Sequence, residues 1–147
     1  MMDSLLLKIW VEPQRAQRFI MLEMEKLNKL SKVVFGEAIE VHKELGTGLL
    51  ESAYQPCLLY SLTEKGLNVE KEKAMPIKYK NVELDCGYRI DLLVERELVV
   101  ELKAVEELNN IHIAQVMSYL KMSNFRLGLL LNFNVKYLKQ GIKRIIN

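Results

Sequence analysis

Asp91, Glu101 and Lys103 are the residues whose types and spacing could do chemistry. They border two short apolar runs, residues 92–94 and 98–100, separated by Glu95-Arg96-Glu97. Leu- and Val-rich runs this short favour strand over helix, so residues 88–103 read as two strands and a tight turn. Side chains alternate across a strand, which puts Glu101 and Lys103 on one face. If Glu95-Arg96-Glu97 is the turn, Val94 faces Leu98. Counting back then sets Asp91 opposite Glu101, with Cβ atoms roughly 5 Å apart. Two carboxylates at that spacing repel unless a proton or cation lies between them. A hard divalent ion such as Mg²⁺, which takes oxygen ligands, would relieve the repulsion. Lys103 could then orient a water or neutralise an oxyanion. A two-residue turn would shift the register by one and dissolve the arrangement. The same spacing also suits a solvated hairpin face with an ordinary Glu–Lys pair, and the residues alone leave both readings open.

The elements that would position these groups follow from the apolar pattern. Residues 1–13 have no clear period, and Pro13 predicts a break. Residues 15–30 are helix-like, with Phe19, Ile20, Met24, Leu27 and Leu30 roughly on one side, and read as a packing or dimerising arm; Met21 and Met24 are alternative starts. Residues 34–45 form a clearer amphipathic helix on Val34, Ala38, Val41 and Leu45. His42 lies beside that stripe and reads as a packed histidine rather than a ligand. Gly46-Thr47-Gly48 ends the helix. With no strand before it and no Gly-Lys-Ser/Thr after it, this is not a phosphate loop.

Residues 49–65 predict a second helix, closed by Gly66, with Glu51 and Tyr54 on one face. A carboxylate in the first turn also suits the helix dipole without any further role. Pro56 predicts a kink or a late start. Residues 68–80 read as a strand, placed at an edge or bulge by Pro76, and residues 82–94 as the strand carrying Asp91. After Lys103, Asn109 or Asn110 caps a helix to about Met122, buried through Ile113, Val116, Met117 and Leu120. Gln115 and Tyr119 stand one turn apart on another face. Residues 126–132 are a buried strand. Asn134 caps a short helix to Gln140, and residues 143–146 suggest a last strand. The order is helix, helix, three strands, helix, strand, short helix and strand, an α/β layout with a mixed sheet.

The 147 residues are half hydrophobic and about a quarter charged, the composition of one soluble domain. No run is apolar enough to span a bilayer and no signal peptide is evident, so the cytoplasm is expected. Cys57 and Cys86 lack metal-ligand spacing and read as reduced thiols. Net charge is only +2, yet residues 108–147 contain six Lys or Arg and no Asp or Glu, leaving 15 basic and 19 acidic groups on the first 107 residues. A basic third beside an acidic cluster suits a polyanion held near a metal, although lysines also simply solubilise outer faces.

Gly48-Leu-Leu-Glu51-Ser-Ala-Tyr54 resembles the signature of the GxxExxY proteins, a family of the PD-(D/E)XK nuclease superfamily. The resemblance extends through Ala38-Ile39-Glu40-Val41-His42 and Leu131-Asn132-Phe133-Asn134-Val135. It covers residues 33–147, the nuclease-like domain, and leaves 1–32 as an N-terminal helical extension. It implies a restriction-endonuclease-like core, a central mixed β-sheet flanked by helices. It implies Glu51, Asp91 and Glu101 as ligands of Mg²⁺ (or Mn²⁺), with Asp91, Glu101 and Lys103 catalytic. Gln115 and Tyr119 match the Gln-x-x-x-Tyr motif of the exonuclease-like branch, where it contacts substrate. Ile90 departs from the superfamily's proline, a variable position. The activity implied is metal-assisted hydrolysis of nucleic acid, DNA first, with no membrane partner and a homodimer through the N-terminal arm as an option. A nuclease fold serving only to bind nucleic acid or protein is the alternative.

Overall fold

The computed structural model describes residues 4–147, with side chains from residue 12 onward. It opens with α1 (Ser4–Leu45), one unbroken helix. The expected break at Pro13 and the separate start near Val34 are therefore corrected. A proline inside a helix costs about 3 kcal/mol, but the Gln, Arg, Met, Leu and Glu residues after it are good helix formers. Ser31 turns its hydroxyl back to donate to the Asn28 carbonyl at 2.9 Å. Leu27, Val34, Ala38 and Val41 continue one buried stripe past it, which holds the two expected segments in one rod. Residues 12–22 stand exposed beyond this stripe, Phe19, Met21 and Leu22 included.

A second helix, α2 (Glu51–Glu64), packs beside α1 and starts at Glu51 despite Pro56. Five strands then make the main sheet: β1 (Val69–Ala74), β4 (Arg89–Val94), β5 (Leu98–Lys103), β6 (Leu127–Asn132) and β7 (Ile142–Ile146), in that spatial order. β5 and β6 are parallel, joined through α3 (Asn110–Ser123); the other pairings are antiparallel. Between β1 and β4 the chain makes a separate hairpin, β2 (Ile77–Tyr79) and β3 (Val82–Leu84), turned by Lys80 and Asn81 with φ of 47° and 64°.

The two long strands expected over residues 68–80 and 82–94 are thus each divided. Pro76, with no N–H to donate, ends β1 as an edge strand. Asp85 closes the second gap: its carboxylate accepts from the Gly87 amide at 2.9 Å and pairs with Arg89 at 3.1 Å. Gly87, at φ +80°, takes a conformation that other residues rarely adopt. The helix expected from Asn134 is a single 3-10 turn, Leu138–Gln140. The Asn134 side chain instead donates to the Val105 carbonyl, and its amide donates to Asn132 Oδ1.

α1 and α2 cover one sheet face, where Leu92, Val100, Leu102 and Leu129 meet Val34, Leu58 and Phe133. α3 covers the other, where Leu93, Val99 and Leu130 meet Val116 and Leu120. Among the described residues no helix is long and apolar enough to cross a membrane. This is the mixed α/β sandwich that the element order predicts.

Candidate active site

The turn between β4 and β5 has the length that the acids require. Glu95 and Arg96 both take left-handed φ values, 53° and 58°, and the Glu97 amide closes on the Val94 carbonyl at 3.1 Å. Pairing resumes at Val94↔Leu98 and runs to Leu92↔Val100. One step further the side chains take over from the backbone. The Asp91 amide donates to Glu101 Oε1 at 3.0 Å, and the Leu102 amide donates to Asp91 Oδ2 at 2.9 Å. The strand ends are thus pinned by carboxylates, each with one oxygen committed to a backbone N–H.

Glu101 is only 3% exposed in a strand whose other residues up to Lys103 are apolar and buried. Burial, and next the charge of Asp91, pushes its carboxyl up to about 9. Burial also raises Asp91, against the pull of the Leu102 amide; the charges of Glu72 and Glu51 add to the rise. Without a cation, the pair therefore retains a proton near neutral pH. The folded state binds more protons than the unfolded chain between about 4.5, the ordinary value for Glu101, and about 9. This stabilisation is complete below that ordinary value and is lost as pH rises through the folded one. The melting temperature of metal-free protein should fall as pH goes from about 5.5 to about 8.5, and Glu101→Gln should flatten the slope; thermal melts in chelator check it.

Lys103 shares the face of Val99 and Glu101 by strand alternation. Its charge pulls the Glu101 carboxyl down, and its ammonium makes no ion pair within 4 Å among the described residues. From the opposite sheet face, α2 brings Glu51 to the end of β5, where Oε1 accepts from the Ala104 amide at a long 3.4 Å. The Gly48-to-Tyr54 stretch explains how. Gly46 and Gly48 take φ of +70° and +97° to turn out of α1. Tyr54, wholly buried and stacked on Phe133 at 4.4 Å, donates to the Gly46 carbonyl at 2.6 Å and accepts from the Leu49 amide. The tyrosine thus clamps the loop that delivers Glu51.

α3 closes the other side. Asn109 caps it by accepting from the Ile111 and His112 amides. One turn in, Gln115 Nε2 donates to Tyr119 Oη at 3.0 Å. Burial and then the charge of Glu101 raise the Tyr119 phenol, which places this pair in the field of the acids. His42 Nε2 bridges the Phe133 and Val135 carbonyls at 3.1 and 2.8 Å, and with 6% exposure it is the packed histidine expected of its stripe.

Two further neighbours of the acids were not expected from the sequence. Glu72 lies in β1 with φ of 51°, between the pairs Lys71↔Leu92 and Lys73↔Ile90, and so at the level of Asp91. A non-glycine residue there is strained, a feature that clusters at functional sites. Gln55 Nε2 donates to Glu72 Oε1 at 2.7 Å and to the Asp91 carbonyl at 3.2 Å. The alternating Glu and Lys of β1 resemble any solvated edge and hid Glu72; Gln55, one turn beyond Glu51, was within reach of an i,i+4 argument. Among the described residues no group of three or more His, Cys, Asp or Glu is close enough to hold a metal by itself.

A family model described as the PD-(D/E)XK nuclease superfamily matches residues 28–145, a span that contains all four of these acids. No curated protein and no solved structure matches the chain.

Proposed function

The chain belongs to the PD-(D/E)XK nuclease superfamily, and from that premise we propose that it is a Mg²⁺- or Mn²⁺-dependent nuclease acting on DNA in the manner of the exonuclease-like branch. The observation that carries this reading is the Asp91–Glu101 pair, one acid half-buried and the other buried, each carboxylate bonded to a backbone amide of the facing strand, with burial favouring the protonated form of both. A divalent cation suits such a donor set better than a proton does. Mg²⁺ is commonly held by one or two carboxylates, with waters and substrate phosphates completing its shell. Two acids without a third in direct reach therefore fit that ion.

Asp91 and Glu101 would hold it, and Glu51, at the end of β5, would support it. When bound, the ion would polarise the phosphate and acidify a water. Lys103, on the face of Glu101, would orient that water and offset charge gathering on the phosphoryl oxygens. Gln115 would hold the Tyr119 phenol so that the pair steadies the strand being cut.

The substrate backbone has a place to lie. Parallel β5 and β6 have their carboxyl ends at the same end of the sheet, where α/β folds collect ligands. A cavity of about 480 Å³ between the end of α1 and the segment after β6 is lined by Lys43, Lys136, Lys139, Tyr137, His42 and the Gly46-Thr47 turn, among others. Lys136 and Lys139 belong to the acid-free C-terminal third. Lys136→Ala with Lys139→Ala should weaken binding evenly across sequences. It should also reduce the salt dependence of log K by about 0.9 for each phosphate no longer neutralised. Binding titrations at several salt concentrations check this.

The test of the function is cleavage of labelled DNA by the purified chain. Mg²⁺ or Mn²⁺ should support it and a chelator should stop it. Metal-independent binding with no cleavage of any nucleic acid would favour a binding module instead.

A further inference from the structure

A second cavity opens on the α3 side of the acids. It is about 470 Å³ in volume, between α3 and the start of the β2–β3 hairpin, and Ile77, Tyr88, Ile111, Gln115, Tyr119 and Met122 line it. Among the described residues no charged side chain contributes to its lining. It is therefore a poor seat for phosphate, which calls for cations or clustered N–H groups. Its walls are uncharged and mostly apolar or aromatic, with Tyr88 47% and Ile111 77% exposed.

The Tyr88 backbone is held in place by its surroundings. Its carbonyl accepts from the Met75 amide at 2.9 Å and from Arg89 Nη1 at 2.8 Å. Arg89 is in turn paired with Asp85. The ring meets Tyr119 edge-on at 6.4 Å between centroids. Tyr119 joins this groove to the acids, since its phenol lies within the field of Glu101 and Asp91. The molecule thus has a basic, phosphate-suited cavity beside the end of α1 and an uncharged, aromatic one beside α3.

We propose that this groove takes an unstacked nucleobase on Tyr88, so that the substrate presented to Asp91 and Glu101 is single-stranded nucleic acid or a frayed end rather than intact duplex. A base within a duplex hides both faces in its stack, whereas a single strand offers them to aromatic side chains at every nucleotide. Tyr88 would be a specificity-determining residue, and Ile111 and Met122 would cover the edges of the base. The inference rests on the nuclease reading for its substrate but on different residues for its test.

The experiment pairs equilibrium binding with cleavage. Fluorescence anisotropy with Ca²⁺, which occupies oxygen sites, gives affinities for one oligonucleotide as a single strand and as a blunt duplex. Mg²⁺ assays give the corresponding rates. Wild type should bind and cut the single strand in preference. Tyr88→Ala should lose about tenfold or more in single-strand affinity, the scale of one base–aromatic stack, and Tyr88→Phe should retain it. Equal losses on both substrates, no loss with Tyr88→Ala in a variant that melts like wild type, or a preference for intact duplex would overturn the base groove. Cleavage still abolished by Asp91→Asn would in that event leave the nuclease reading standing. Tyr88-dependent single-strand binding without any cleavage would support the groove and sink the nuclease.

Discussion

Asp91→Asn and Glu101→Gln should each reduce cleavage by on the order of a thousandfold while raising the melting temperature of the metal-free protein. The opposite signs share one cause. Metal-assisted stabilisation of a phosphoryl transition state is worth several kcal/mol, and each 1.36 kcal/mol is about tenfold in rate. An amide oxygen is a weaker ligand than a carboxylate, so that stabilisation is largely lost. Both acids, however, sit where their charge is costly: burial raises each, the charge of Asp91 adds to the rise at Glu101, and the charges of Glu72 and Glu51 add to it at Asp91. The amide variants keep an acceptor for the Leu102 and Asp91 amides and remove the repulsion. A gain of ~1 kcal/mol corresponds to a few degrees in a domain of this size. Rate assays beside thermal melts in chelator make the comparison. A variant that lost activity because it unfolded would lose melting temperature as well.

Lys103→Met should lower kcat by about a hundredfold or more and leave substrate affinity within a few-fold, since placed electrostatic groups act mainly on the transition state. The substitution keeps the apolar stem and removes the charge that faces Glu101. Lys103→Arg should recover little, because a planar guanidinium is not a compact ammonium. Single-turnover rates with Mg²⁺ and affinities with Ca²⁺ separate the two effects. A parallel rise in KM with unchanged kcat would place Lys103 in binding alone.

Much of this site is legible in the order of the amino acids. Strand alternation and the three-residue turn are enough to oppose Asp91 and Glu101, and the observed pairing through Val94↔Leu98 is the one that this opposition requires. The i,i+4 spacing of Gln115 and Tyr119 becomes a hydrogen bond. Long-range effects are not legible. Pro13 and Ser31 read locally as interruptions, but the stripe from Leu27 to Val41 buries one continuous helix. Residues 82–94 read as one strand because the Asp85–Arg89 pair that folds the chain away at Gly87 leaves no apolar signature. Glu72 comes to the level of Asp91 through a strained turn of an edge strand, and no periodicity encodes φ. The delivery of Glu51 from the far side of the sheet depends on the Tyr54 clamp, a contact between segments that pattern alone does not connect.

The central claim is that Asp91 and Glu101 together grip a divalent ion. Calorimetric titration of the metal-free protein with Mn²⁺ near neutral pH, in two buffers of different ionisation enthalpy, tests it most directly. Saturable binding with release of a proton is expected, because the ion displaces the one that the pair retains, and that binding should be lost in the Asp91→Asn, Glu101→Gln double variant. Mn²⁺ binding that persists unchanged in the double variant, or no binding by the intact pair, would contradict it.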